Sequence, residues 1–549
     1  MNPATHEVFN QSTPWSGVNL FDTNRPLQDA LRCHAPGLDV EALRSLGEQA
    51  GSAEMQLHAR QANTHKPLLK AHDRVGRRVD EVEFHPSYHA LLGAAISHGL
   101  HGTPWRLGPG AHLQRAAAFM LFTELEPSVL CPVSMTYAVT PALRANPALH
   151  AAWGEGLAAT QYDPRFLPAS QKTALTMGMG MTEKQGGSDV RANTTRAAVD
   201  GSDAWGQRFT LTGHKWFFSA PMCDAFLVLA QSPGGLSCFF VPRWRPDGSL
   251  NPIRIQRLKD KLGNCANASS EVEFDGDTHA WRVGDEGRGV PQILAMGAMT
   301  RLDCALGTAG LMRQSLTLAI HHCRERMAFG KRLAEQPLMK NVLADLALES
   351  EAATALALRL AHSVDASEHG GDAHEAVIRR VLTPIAKFWI CKRGAGFAQE
   401  AMECLGGNGY VEEGGEGVMA RIYREMPVNS IWEGAGNIMA LDLLRALRSG
   451  EVAAALAHDL APVHGEHAAF DRLVATLPER IDGGTDEAQA RVLARDIALL
   501  VQACLLRRHS TDDVFDAFCA SRLERASDIF GLLPAGTPFD ALLERALPH

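Results

Sequence analysis

The sequence predicts an α+β fold of several domains: an N-terminal helical region, a central antiparallel β-barrel or sandwich, and a C-terminal helical bundle with a helical extension. Three observations predict it. The 549 residues exceed what one hydrophobic core organises. The apolar period changes from helical to alternating near residue 208 and returns to helical near residue 295. The short runs between those points are separated by Gly, Pro, Asn and Asp. No helix of about 10–15 residues lies between them, which favours antiparallel pairing over a parallel nucleotide-binding sheet.

Taken in order, residues 1–20 read as an extended polar leader. Broken helical patterns such as 41–60 and 111–121 fill an N-terminal domain over 1–180. The alternating glycines of Met177-Gly178-Met179-Gly180-Met181 disfavour helix and predict an extended or turning backbone. Strands are expected at 208–216, 225–230, 236–241 and 270–274, inside a barrel domain over 181–290. Long helices are expected at 295–326, 336–364 and 372–402, the last two parted by an acidic, Gly-containing stretch, within a bundle over 291–445. Residues 446–549 are helical, with Pro/Gly breaks near 462–465, 482–485 and 533–538.

Composition excludes several classes. Hydrophobic residues make up 46% and charged residues 21%, as in ordinary globular chains. A formal charge of -9 argues against a uniformly basic surface but leaves room for a local basic patch. No basic-then-apolar leader and no apolar run long enough to span a bilayer is present. The eleven cysteines lack zinc or disulfide spacing and read as reduced thiols of a cytoplasmic protein. The 23 histidines form no H-E-x-x-H set, and the adjacent pair His321-His322 shares no helix face, so no metal is expected.

Several segments carry chemistry, each with a plainer alternative. Leu405-Gly406-Gly407-Asn408-Gly409-Tyr410 is followed by Ile431-Trp432-Glu433-Gly434-Ala435-Gly436-Asn437. Glycines clustered among helix formers suit a turn or close approach to a ligand. Glu433 among apolar residues suits a desolvated base, the alternative being a solvated carboxylate. Met181-Thr182-Glu183 through Asp189 offers hydroxyls and flexible glycines for a cofactor, or simply an interdomain turn. In Lys215-Trp216-Phe217-Phe218-Ser219, Trp216 could cover a planar ring and Ser219 donate to it, or the segment is an aromatic core edge. In Arg324-Glu325-Arg326-Met327-Ala328-Phe329-Gly330 an arginine could grip a pyrophosphate or face solvent.

With these residues in view, the chain resembles the acyl-CoA dehydrogenase family, and most closely its bacterial AidB-like branch, associated with the response to DNA alkylation. The MTE-x-x-GGSD form at 181–189, KWFFS at 215–219, ERMAFG at 325–330, GGNGY at 406–410 and WEG at 432–434 occur in family order. The length, the long N-terminal region, the EKQGGSD variant and the C-terminal extension carry the resemblance to the branch. The resemblance implies FAD between barrel and bundle. Met181, Thr182 and Ser188 would line the flavin and its diphosphate. Trp216 would lie by the isoalloxazine and Ser219 near its reactive edge. Gly406, Gly407 and Asn437 would approach the flavin. Arg326 and Phe329 would reach a flavin held mainly by a neighbouring subunit of a homotetramer. The absence of a G-x-G-x-x-G fingerprint does not count against FAD in this family.

Glu433 would be the base that removes the proton alpha to an acyl-CoA thioester. Glu403 stands where the family commonly has glutamine, which removes an amide donor. Trp432 stands where tyrosine is frequent, and its larger ring narrows the substrate and flavin pocket. The resemblance therefore implies a flavoprotein with weak or redirected dehydrogenase activity that binds duplex DNA, or alternatively a short- or branched-chain acyl-CoA dehydrogenase without DNA binding. DNA contacts would come from Arg445, Arg448, Arg507 and Arg508. Residues 446–549 nevertheless hold 10 arginines and no lysine against 16 acidic residues, a poor balance for neutralising phosphate.

Overall fold

The structure, a computed structural model, describes residues 5–413, 417–525 and 528–548. Helices α1 (Arg25–His34), α2 (Glu41–Gly51) and α3 (Ala53–Thr64) open the chain. Asn24 caps α1 by accepting the Leu27 N–H at 3.2 Å, and Pro26 occupies the first turn, where a missing N–H costs nothing. A hairpin of β1 (Leu68–His72) and β2 (Arg78–Glu83) precedes α4 (Pro86–Ser97), α5 (Ala111–Leu125), α6 (Leu130–Leu143) and α7 (Pro147–Ala158). The hairpin was not anticipated in a region expected to be mostly helical. Its β1 strand alternates only between exposed and half-buried residues, so it carries little apolar signal.

Seven strands follow: β3 (Met177–Gly180), β4 (Arg196–Asp203), β5 (Gly206–Ser219), β6 (Ala225–Ser232), β7 (Gly235–Pro242), β8 (Arg254–Leu258) and β9 (Ser269–Val283). The three long helices expected from the apolar period are α8 (Gly289–Glu325), α9 (Pro337–His369) and α10 (Ala373–Cys404). Next come α11 (Gly407–Tyr410), α12 (Val418–Asn429), α13 (Gly436–Leu447), α14 (Gly450–Leu460), α15 (Ala468–Val474), α16 (Leu477–Asp482), α17 (Ala490–His509), α18 (Asp512–Phe518) and α19 (Phe539–Ala546). Asp372 caps α10 by accepting the Glu375 N–H at 3.1 Å. Among the described residues no helix is long and apolar enough to cross a membrane.

The expected antiparallel barrel is corrected by the strand pairing: the sheet is mixed. β3 runs parallel to β6, from Met177 opposite Ala225 to Gly180 opposite Val228, and β4 meets β6 in parallel at Arg196 and Gln231. The pairs β4–β5, β5–β9, β6–β7, β7–β9 and β8–β9 are antiparallel. Missing helices between successive strands could not reveal the parallel pairs, because β3 reaches β6 across the intervening 181–224 chain rather than through a local crossover. The glycines of β3 serve close packing. A Cβ on Gly178 would lie 2.4 Å from the Phe226 ring and one on Gly180 2.5 Å from the Phe218 ring. Residues 225–230 of β6 are buried throughout, the continuous apolar signature of a strand covered on both faces.

The chain forms two compact units. One comprises Leu57–Asp303 with Trp432–Ala435 and holds the large sheet; the other comprises Met1–Gln56, Cys304–Ile431 and Gly436–His549. Four residues containing Glu433 are thus grouped with the sheet unit, although the residues on either side of them in sequence belong to the other.

Candidate functional site

In the sheet unit, the 181–189 loop is fixed by a buried ion pair. Glu183 Oε1 accepts from Lys215 Nζ at 2.7 Å, and both side chains are fully buried. The Glu183 carboxylate also accepts the N–H groups of Thr194 and Thr195, while Lys215 gives a second bond to the Leu229 carbonyl. Burial opposes charge on Glu183, but Lys215 and these donors win and hold it well below the usual carboxylate range. Burial brings Lys215 down to about 8 despite its partner. The pair anchors β5 to the loop, and the Trp216 N–H donates to the Thr182 carbonyl at 2.8 Å. The Met181 carbonyl accepts from Asn193 at 2.9 Å, and Ser188 is exposed. Lys259 Nζ stands 3.3 Å from the centre of the Trp216 ring, a cation–π contact.

Glu433 occupies a turn in the same unit with φ +59, left-handed backbone that a residue other than glycine adopts at a cost of about 1 kcal/mol or more. Two consecutive α8 residues support it. Arg301 Nε donates to the Glu433 carbonyl at 2.9 Å, and Thr300 Oγ1 donates to Glu433 Oε2 at 2.7 Å. Thr300 Oγ1 also lies 3.1 Å from the Gly297 carbonyl. The one hydroxyl can therefore serve both charge states. It donates to an ionised Glu433, or to one protonated on Oε1; with the proton on Oε2 it accepts from the acid and turns its own hydrogen to Gly297. The Arg115 guanidinium, stacked on Tyr137 at 3.9 Å, pairs with Asp303 one turn further along α8.

Ser219 belongs to this neighbourhood. Its hydroxyl lies 3.4 Å from that of Ser269, to which Lys261 Nζ donates at 3.2 Å. Cys131 interacts with Ser219, Asn267, Lys261 and Glu433. Burial pushes its thiol up to about 11; Lys261 opposes that rise and the Glu433 charge adds to it. The Trp432 indole N–H is buried without a partner among the described residues.

The sheet unit thus brings Met181, Thr182, Ser188, Trp216, Ser219, Trp432 and Glu433 into one body. The remaining expected residues lie in the other unit. There Arg326 Nη1 donates to the Asn10 carbonyl. Phe329 is 97% exposed with φ +51. A Cβ on Gly406 (φ +60) or Gly407 would meet nothing within 4 Å among the described residues. Asn437 is exposed in the first turn of α13. Arg445 and Arg448 are exposed, and Arg445 approaches Asp442 at 4.0 Å. Arg507 is engaged with Glu466 at 3.3 Å and Asp512 at 3.1 Å, whereas Arg508 is exposed. Sequence reasoning missed Thr300, Arg301, Cys131 and the Glu183–Lys215 pair. Only the last left a signal, one opposite charge in each of two ligand-like motifs.

Comparison with known proteins places this geometry. Residues 10–164 match the AidB adaptive response protein N-terminal domain, 178–276 the acyl-CoA dehydrogenase middle domain and 287–448 the acyl-CoA dehydrogenase C-terminal domain. The AidB protein of Escherichia coli (strain K12) is 46% identical over 530 residues, 95% of each chain. The Bd2924 apo-form structure superposes with a TM-score of 0.82 at 31% identity, covering 92% of this chain and 100% of that one. Caenorhabditis elegans ACDH-11, solved in complex with C11-CoA, superposes with a TM-score of 0.83 at 26% identity, covering 96% and 94%. The chain belongs to the acyl-CoA dehydrogenase family, in its AidB-like branch.

Proposed function

We propose that the protein is an FAD-dependent, acyl-CoA dehydrogenase-type oxidoreductase, homotetrameric and cytoplasmic, in which Glu433 removes the proton alpha to the thioester. The observation that carries this reading is the Glu433 carboxylate, held at a strained backbone position by Thr300 and Arg301. Strain maintained by two specific contacts marks a side chain whose position matters. Its second oxygen, Oε1, would take the proton, and the Thr300 hydroxyl would go on donating to Oε2, the carbonyl oxygen of the resulting acid.

The residues present fit a flavin. The Trp432 indole N–H has no partner among the described residues, and the backbone at Gly406 and Gly407 leaves room for close approach. Met181, Thr182, Ser188, Trp216 and Ser219 would hold it; by family resemblance Gly406, Gly407 and Asn437 would approach a flavin, and Arg326 and Phe329 would reach one held mainly by a neighbouring subunit. A bound flavin would accept the hydride leaving the beta carbon. Acyl-CoA as substrate class is supported by family membership and by the C11-CoA complex of the C. elegans relative.

Duplex-DNA binding has weaker support, because Arg507 is engaged by two carboxylates and the 446–549 segment is acidic. Glu433→Gln tests the reading. The amide keeps the shape but cannot act as base, so substrate-driven flavin bleaching should slow by about 10²-fold or more with flavin content unchanged. Unchanged single-turnover reduction would remove Glu433 from the mechanism. Salt-sensitive retardation of duplex DNA by the wild-type protein would restore the nucleic-acid reading.

A further inference from the structure

We propose that His374, His458 and Asp459 form a binding site for one divalent transition-metal ion, with Zn²⁺ the best chemical match. The site would join the first turn of α10 to the last turn of α14. Nothing in the spacing of these residues suggests a ligand set, since His374 lies 85 positions before Asp459. The fold brings one ligand atom from each to within 4.8 Å of the others. His374 Nε2 is 2.7 Å from Asp459 Oδ1, and His458 Nδ1 is 3.6 Å from the same oxygen. The two imidazole rings stand edge to face with centres 5.0 Å apart.

A tetrahedral ion about 2.0–2.1 Å from nitrogen and oxygen ligands holds those atoms about 3.3 Å apart. The His458–Asp459 separation is already close to that value. The His374–Asp459 pair must open by about half an ångström, which replaces one hydrogen bond by two coordinate bonds. The His458 side chain is 78% exposed, so a water can complete the coordination.

The surroundings suit such an ion. Asp459 Oδ2 accepts from Arg359 Nη2 at 2.8 Å, and the same guanidinium donates to Glu375 Oε2 at 2.6 Å. Arg359 therefore fixes the carboxylate plane and leaves Oδ1 as the ligand atom, the arrangement that outer partners give to metal-bound carboxylates. Its positive charge is offset by two carboxylates, so a cation is not repelled. Two imidazoles with one carboxylate select zinc, cobalt, nickel or copper over magnesium or calcium, which prefer all-oxygen sites. The ion would act as a staple between α10 and the first helix beyond residue 445.

The test uses the full chain with its cofactor, stripped with chelator and titrated with ZnCl₂ by calorimetry. A parallel Co²⁺ titration reads tetrahedral ligand-field absorption. His458→Ala removes an exposed ligand whose loss should not affect folding, and His374→Gln is the second variant. The expected result is one tight ion per chain in the wild type, with affinity lowered at least about 10-fold in both variants. The ion-free thermal midpoint of His458→Ala should be unchanged. A wild type with no stoichiometric binding, or a variant that titrates like the wild type, overturns the proposal.

Discussion

Acid should loosen this protein through a buried group of histidines. His34 ends α1 and His509 ends α17. The His34 ring stacks on His362 at 4.8 Å and meets His509 edge-on at 4.7 Å. His34 Nε2 and both ring nitrogens of His509 are buried without hydrogen-bond partners among the described residues. A helix C-terminus favours a protonated imidazole by about 0.3–1 kcal/mol. Burial outweighs that here, reinforced for both rings by Arg359, Arg508 and the neighbouring imidazoles; Asp29 opposes it at His509. His34 falls from 6.5 to about 2 and His509 to about 4. Burial also lowers His362, with Glu375 and Asp365 opposing.

Because the folded values lie below the unfolded ones, the unfolded chain takes up protons that the folded chain refuses. Stability is complete above pH 6.5 and is lost as pH falls, until about pH 4 for His509 and about pH 2 for His34. Each pH unit below 6.5 costs about 1.4 kcal/mol per imidazole, so at pH 5 the two together cost about 4 kcal/mol. That is a large part of the roughly 5–15 kcal/mol that usually holds a folded domain. Urea unfolding of the full chain at pH 7.5 and pH 5, beside His34→Phe/His509→Phe, measures it. The double variant keeps the ring packing and should lose about 4 kcal/mol less than the wild type between the two pH values. Equal losses in the two proteins would refute the argument.

Thr300→Val removes the hydroxyl that holds Glu433, a charge-assisted bond of about 1.5–3 kcal/mol, and should lower kcat/KM about 10- to 100-fold at unchanged flavin content; an unaltered kcat/KM would show that the contact is idle. Lys215→Met strands the Glu183 carboxylate in the interior and should cost about 3–5 kcal/mol, read as a lower urea midpoint, whereas an unmoved midpoint would contradict the anchoring role. Phe329 and Met327, 97% and 50% exposed, present an apolar face suited to a neighbouring subunit. Light scattering of the flavin-loaded protein should give a tetramer, and a saturated monomer at micromolar concentration would count against it.

The sequence by itself determined the features carried by local pattern. The apolar period located α8, α9 and α10 to within a few residues, because a helix that buries one face must repeat every three to four positions. Five short motifs in order identified the family and singled out Glu433. Periodicity reports that a face is buried, but not which surface meets it. The parallel contacts of β6 with β3 and β4, which overturn the antiparallel barrel, depend on pairing across 181–224 and 204–224 respectively. Thr300 lies 133 residues from the carboxylate it holds, inside an unremarkable helical run. Lys215 finds Glu183 across 32 residues, and His374 finds Asp459 across 85. Hydrogen bonds and ion pairs act within a few ångströms of space whatever the chain length between partners, so tertiary folding alone decided them.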